Sequence, residues 1–395
     1  MSIWLQKKLP STTEVVVIGG GIAGVSTAYH LAQADVRVVL LEAGEIATRA
    51  TGRNDGQMLI GTGEHYNRVV SQFGEEKARN LLNFIEANNI ALKDKAYTCQ
   101  ASIGTWGGLH MAETESEFEE LKLTADLLKC EGIACHIVNE ERLTNVLPVE
   151  NFCGAIYIKD EAVVHPIKFT EGLAKLASAQ GAQIYTHMPV AAVQATNEEY
   201  VVTLKDGQKI QTMMVVHCTS ALSTHLDRSG FLEAQVFPYR GQVIATDSLD
   251  AKKIQAFSNR AMSSNFGYEY FRTYNNQFLL GGMRWSVSGQ EEHICDDSGH
   301  NMEITKNLIA YTNKHFPTLR GAKFPHVWTG IMAGTKDGLP LVGEIPGQPG
   351  SFALLAFNGY GLSFAFKAGE LIKDQIVDGQ AHHPASSMFN PRRFV

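Results

Sequence analysis

The chain has 395 residues, 44% hydrophobic and 19% charged, with a formal net charge of −7 from 34 Lys+Arg against 41 Asp+Glu. That length exceeds the ~250–300 residues at which one core stops growing, so two domains are expected. The composition argues against a disordered chain, a collagen-like repeat and a polytopic membrane protein. The acidity, with no Lys/Arg cluster to offset it, argues against nucleic-acid binding.

Lys7 and Lys8 precede an uncharged run from Val15 to Ala34, the outline of a signal peptide or a membrane span. Four glycines and several polar residues interrupt that run, and Glu14 stands at its mouth, so another reading is better. Glu14–Ile18 is β-branched and apolar, as a strand buried on both faces of a parallel sheet should be. It leads into Gly19-Gly20-Gly21-Ile22-Ala23-Gly24, a GxGxxG, and then into residues 22–34, whose apolar positions recur at helical spacing. A second buried strand, Val36–Leu41, ends on Glu42. Gly19 permits the tight turn, Gly21 lets backbone amides approach a pyrophosphate, and Gly24 lets the helix pack closely on the strand. The helix N-terminus offers free N–H groups and partial positive charge to phosphates. Glu42, eighteen residues after Gly24, suits the hydroxyls of an adenosine ribose and repels a 2′-phosphate. This order of strand, GxGxxG, helix, strand and acid predicts a dinucleotide site. It does not separate FAD from NAD.

Residues 50–58 (ATGRNDGQM) are small and polar, which predicts an extended segment lying against a ligand. Residues 112–130 are charged with helical period and read as a solvated helix. Tyr200–Leu204 and Lys209–Met214 flank Asp206-Gly207 and predict a hairpin. Asn358–Gly361 leads into a helix over 362–376, whose N-terminus would stabilise negative charge on a reduced cofactor. The six cysteines form no CxxC and no Cys/His set has metal-ligand spacing. No metal is expected, and the chain reads as cytoplasmic. His382-His383 and Asp296-Asp297 read as surface tail and loop.

The Gly52-Arg53-Asn54-Asp55-Gly56-Gln57 run resembles the GRNGGQ-type segment of the D-amino-acid oxidase-like (DAO) family of FAD-dependent amine and amino-acid oxidoreductases, with Asp55 in place of a glycine. Val164-His165-Pro166, Met188-Pro189-Val190, Val215–Ser220, Tyr239–Gln242, Trp328-Thr329-Gly330, Thr335–Pro340 and Asn358–Gly361 are similar to further family segments, in order along the chain. The resemblance implies an α/β Rossmann-like FAD-binding domain and a mixed-sheet, α+β substrate-binding domain. The first is expected over 1–74, 146–221 and 326–395, the second over 75–145 and 222–325. It implies non-covalent FAD held by Gly19, Gly21, Ile22, Ala23, Gly24, Glu42 and Ala43 at the nucleotide end. Thr51, Gly52, Arg53, Asn54, Gly56, Gln57 and Met58 follow, with Val190, Thr219, Gly330 and the run Asn358, Gly359, Tyr360, Gly361 and Leu362.

The implied activity is oxidation of a C–N bond in a small amine or amino acid, with O2 or another electron acceptor. The chain departs from the family where its amino-acid oxidases hold the substrate carboxylate with arginine: Met332 and Gly359-Tyr360 stand there. Tyr268, Arg284, Arg272 and His65 are the remaining substrate-binding candidates. A hydroxy acid as donor and a non-catalytic flavoprotein subunit are the alternatives.

Overall fold

The structure is a computed structural model that describes residues 9–197 and 199–395; Lys7 and Lys8 lie outside the described residues. Thr12–Ile18 is the central strand of the first sheet, with its last four residues buried. It pairs in parallel with Val38–Leu41 on one side and Lys209–His217 on the other. Gln183–Tyr185 and Ser351–Leu355 extend this parallel core. Leu341–Glu344 closes one edge antiparallel. The hairpin of Tyr200–Leu204 and Lys209–His217 forms as expected. Helix Ile22–Gln33 packs against the helices Pro166–Ala179 and Gly361–Val377. A Cβ on Gly369 would stand 2.8 Å from the backbone of Ser26 and Thr27, so glycine there sets the close crossing of the first and last helices.

The second sheet has eight strands and is mostly antiparallel. Its order is His326–Gly334, Phe237–Ala245, Gln277–Gly281, Glu269–Tyr274, Ala261–Ser264, Gly108–Ala112, Gly154–Ile158 and Cys135–Asn139. Register places Leu109, Met262, Phe271, Leu280 and Ile244 in one row across it. That row faces a second core under helix Met302–His315. The next row, His110, Ser263, Tyr270, Gly281 and Val243, points the other way because side chains alternate along a strand.

The division expected from sequence shifts at three places. Gly154–Ile158 and His326–Gly334, assigned to the nucleotide unit, pair in the second sheet. Helix Glu75–Thr98, assigned to the substrate unit, packs on the last helix in the first core. Its buried Leu81, Leu82, Phe84 and Ile85 need that apolar cover. The helix expected over 112–130 spans Glu115–Cys130, capped by Thr114. Its charged face is not wholly solvated. Glu117 is 3% exposed and its carboxylate accepts from the amides of Glu113 and Phe266 at 2.9 and 2.8 Å. Among the described residues no helix is long and apolar enough to cross a membrane.

Candidate active site

The glycine loop joins the first strand to a helix whose first amides have no intrahelical partner and no side-chain cap at Gly21. Space is tight there for physical reasons. A Cβ on Gly24 would come 1.9 Å from the Gly19 carbonyl oxygen, and Gly19 itself lies at φ +113° against Cys218 and Thr219. Ile22 and Ala23 begin the helix and are buried. The Ile22 amide donates to the Thr51 hydroxyl at 3.0 Å. Glu42 ends its strand beside the loop, and its two carboxylate oxygens accept from the Gly20 and Gly44 amides at 2.6 and 2.7 Å. A ribose diol would share the lone pairs that remain. Ala43 is exposed and Val190 half-buried at the start of its strand.

Residues 50–58 are not one extended segment. Ala50–Arg53 is a short helix and Gln57–Met58 a short strand paired with Ala162–Val163. Asn54 makes the bend: its side chain donates to the Ala50 and Thr51 carbonyls and accepts from the Gly56 amide. Gly56 lies at φ +83°, where a Cβ would meet the Val164 carbonyl at 2.0 Å. Arg53 is held by Asp297 at 2.6 Å and the Thr329 carbonyl at 2.9 Å, which gives the loop aspartate a role the sequence did not reveal. Met58 is fully buried.

Between this segment and the second sheet lies a cavity of about 410 Å³. Arg53, Asn54, Gln57, Gly330 and the run Asn358–Leu362 all line it. Asn358 and Gly359 turn with positive φ, and helix Gly361–Val377 then starts at the cavity wall with no side-chain cap. The second sheet and its connections contribute Tyr239, Tyr270, Met332, the exposed Tyr268 and Arg284, and the 50–58 segment contributes Asp55. A Cβ on Gly359 would lie 3.5 Å from the Tyr239 hydroxyl, and one on Gly241 would lie 2.7 Å from Met332 Cε and 3.7 Å from the Tyr270 hydroxyl. These glycines keep the floor open.

Burial raises the Asp55 carboxyl above its ordinary range, opposed by Arg272 and by the Gln57 amide that donates to it at 2.5 Å. Burial also keeps the phenols of Tyr239, Tyr270 and Tyr360 protonated. Arg284 stacks its guanidinium 4.5 Å over the Tyr239 ring and donates to the Gln290 carbonyl at 2.7 Å.

Two substrate candidates sit elsewhere. Arg272 shares the face of Tyr270 but lies beyond the cavity, 2% exposed. Its guanidinium donates to the Asp55 and Val164 carbonyls and to the Asn259 side chain at 2.8, 3.1 and 2.9 Å, so it staples the bend rather than facing a ligand. His65 lines a smaller adjoining cavity with His110 and Glu117. Burial lowers its imidazole to about 4, so it is neutral at pH 7. Sequence reasoning passed over Tyr239, Tyr270 and Ser263 as lining residues. Alternation along 239–243 and 268–272 was the available signal.

A crowded glycine loop, two helix N-termini, a carboxylate at the strand end and a shared cavity fit an adenine dinucleotide that carries a redox ring. The comparisons agree. The chain is 26% identical to gamma-glutamylputrescine oxidoreductase of Escherichia coli K12 over 92% of its own length and 83% of that protein. It is 24% identical to human mitochondrial sarcosine dehydrogenase, matching 98% of itself but 42% of the longer protein. Its fold superposes on L-proline dehydrogenase of P. horikoshii with a TM-score of 0.82, covering 98% of both chains at 23% identity. Glycine oxidase of Geobacillus kaustophilus gives 0.80, covering 98% of this chain and all of that one at 18% identity. Residues 14–375 match the family described as FAD dependent oxidoreductase (DAO), and with the site built as above the chain belongs to that family of flavin enzymes.

Proposed function

We propose that the chain binds FAD non-covalently and oxidises the C–N bond of an amine or N-substituted amino acid. FAD, when bound, would supply a two-electron acceptor for hydride from the carbon beside the amine nitrogen. The chain's own residues do the rest. Gly19–Gly24 and Thr51 hold the pyrophosphate, Glu42 and Val190 the nucleoside, and residues 52–58, Gly330 and 358–362 the flavin. The uncapped start of helix Gly361–Val377 lies at the cavity wall, where its positive end would favour negative charge on a reduced cofactor.

The observation that carries the reading is the lining of the cavity those flavin-holding segments share. Four phenols (Tyr239, Tyr268, Tyr270 and Tyr360), four carboxyl groups with Asp55 among them, and the Met332 thioether suit a nitrogen that alternates between cationic and neutral forms. Arg284 is the one arginine on the sheet side of that lining, placed to hold a carboxylate where the family's arginines are missing. The six unpaired thiols support a cytoplasmic setting.

A second reading, a flavoprotein subunit without turnover, is favoured by one relative: the mouse mitochondrial pyruvate dehydrogenase phosphatase regulatory subunit, 24% identical over 94% of this chain and 42% of that protein. A visible spectrum of the purified protein, followed by anaerobic titration with amines, N-methyl amino acids and D- and L-amino acids, separates the two. Bleaching of the flavin by one class supports the enzyme. A yellow protein that none of them bleaches supports the subunit.

A further inference from the structure

Beside the main cavity, two strands of the second sheet and the turn at Glu161 bring three side chains into one hydrogen-bonded chain. Gly108–Ala112 and Ala261–Ser264 pair in parallel with His110 opposite Ser263, so both side chains project from one face. The His110 Nδ1 lies 2.9 Å from the Ser263 hydroxyl. Its Nε2 lies 2.9 and 3.0 Å from the two oxygens of Glu161. Glu161 has no exposed side-chain surface, and among the described residues its one other hydrogen bond comes from the Ile60 amide at 2.9 Å. The space for that carboxylate exists because residue 108 is glycine: a Cβ there would stand 1.7 Å from Glu161 Oε2. Ser263 is the end of the chain that lines the larger cavity, and it lines the smaller one as well.

We propose that Ser263, His110 and Glu161 form a proton relay that takes the proton from a substrate ammonium and so delivers the neutral amine inside the cavity. The inference rests on the C–N oxidation reading above. In the step, an ammonium N–H bond breaks and an O–H bond forms at Ser263 as that hydroxyl passes its own proton to His110 Nδ1. The Nε2 proton stays hydrogen-bonded to Glu161. No electrons move. The amine is left with its lone pair, and His110 becomes an imidazolium facing a buried carboxylate, which later releases the proton to solvent. This is base activation through an oriented histidine, applied to a substrate proton rather than to a nucleophile. Ser263 is the catalytic residue; His110 and Glu161 are positioning residues that act through it.

Burial pushes the His110 imidazole down, but the charge and hydrogen bond of Glu161 carry it above the ordinary histidine value. Glu64, His65 and Glu117 line the same small cavity, with His65 neutral. Tyr360 borders both cavities. Asp55 also lines the larger cavity and is the rival proton acceptor.

The test uses FAD-loaded protein and the amine that bleaches it. Two readouts are compared: the pH profile of kcat/KM, and the His110 ring titration by NMR of histidine-labelled protein without substrate. Ser263→Ala is expected to lower kcat/KM about 100-fold at unchanged FAD content, with Ser263→Thr restoring most of it. Glu161→Gln is expected to lower the His110 titration and to move the acid limb of the profile down with it. The relay is overturned if Ser263→Ala and His110→Gln keep the wild-type profile while the amine still bleaches the flavin. It is equally overturned if only Asp55→Asn moves the limb. If no amine bleaches the wild type, the C–N reading falls and the relay with it, an outcome distinct from the other two.

Discussion

Gly24→Ala places one methyl group where the structure has no room. Its Cβ would stand 1.9 Å from the Gly19 carbonyl oxygen, 3.1 Å from the Gly19 carbonyl carbon and 3.3 Å from Val17 Cγ1. Contacts under 3.0 Å do not persist, so helix and loop must separate by about 1.1 Å, the difference between 3.0 and 1.9 Å. The loop cannot yield alone, because the Gly19 amide is tied to the Leu41 carbonyl and the Ile18 carbonyl to the Cys218 amide, both at 2.9 Å. Overpacking of this kind costs about 1–3 kcal/mol, and the displaced amides are those that face the pyrophosphate. At about 1.4 kcal/mol per tenfold, FAD affinity should fall roughly ten- to hundredfold. The assay is FAD titration of apoprotein by flavin fluorescence, with thermal melts in the presence and absence of FAD. Gly44→Ala is the control, because its Cβ would meet Glu42 and Thr48 at an ordinary 3.7 Å. Equal Kd and Tm for Gly24→Ala, Gly44→Ala and wild type would refute the close-packing argument.

Arg284→Ala should raise KM for carboxylate-bearing substrates about 10- to 100-fold, the loss of a hydrogen bond to a charged group worth about 1.5–3 kcal/mol, and leave plain amines unaffected; steady-state kinetics on both classes checks it. Arg272→Met leaves the Asp55, Val164 and Thr273 carbonyls and the Asn259 side chain without their donor and should cost about 3–5 kcal/mol of stability in urea unfolding. Unchanged stability with a raised substrate KM would instead make Arg272 an anchor. Glu269 is raised to about 7 by burial, opposed by the hydrogen bond from Trp285 at 2.7 Å and the Met283 amide. Below its unfolded value near 4.5 the two states bind this proton equally. As pH rises toward 7 the unfolded chain releases it first, so stability falls across that window. Glu269→Gln should therefore raise Tm at pH 8 and change it little at pH 4.5, as melts at the two pH values would show.

Much of the nucleotide end was legible in the sequence because its constraints are local. A strand, a glycine turn and a helix follow one another within twenty residues, and each element's period and turn residues are set by near neighbours. The helix that starts after Asn358–Gly359 was legible for the same reason, since a polar, glycine-containing approach precedes an apolar helical period. The cavity was less legible, because its walls come from strands that pair across the chain. Ser263 faces His110 because residues 261–264 and 108–112 share a register, and alternation then aims both side chains toward the site. Arg272 looked equivalent to Arg284 in sequence. Their separation depends on the Asp55–Gly56 bend, which brings two backbone carbonyls within reach of one guanidinium and not of the other. Glu117 read as one more surface carboxylate until the Phe266 turn folded over it. By itself the sequence determined a dinucleotide site and the frame that holds it, since those follow from short-range backbone conformation and period. Only the tertiary structure decided which side chains face the substrate, because that depends on strand register and on long-range packing, which no local pattern encodes.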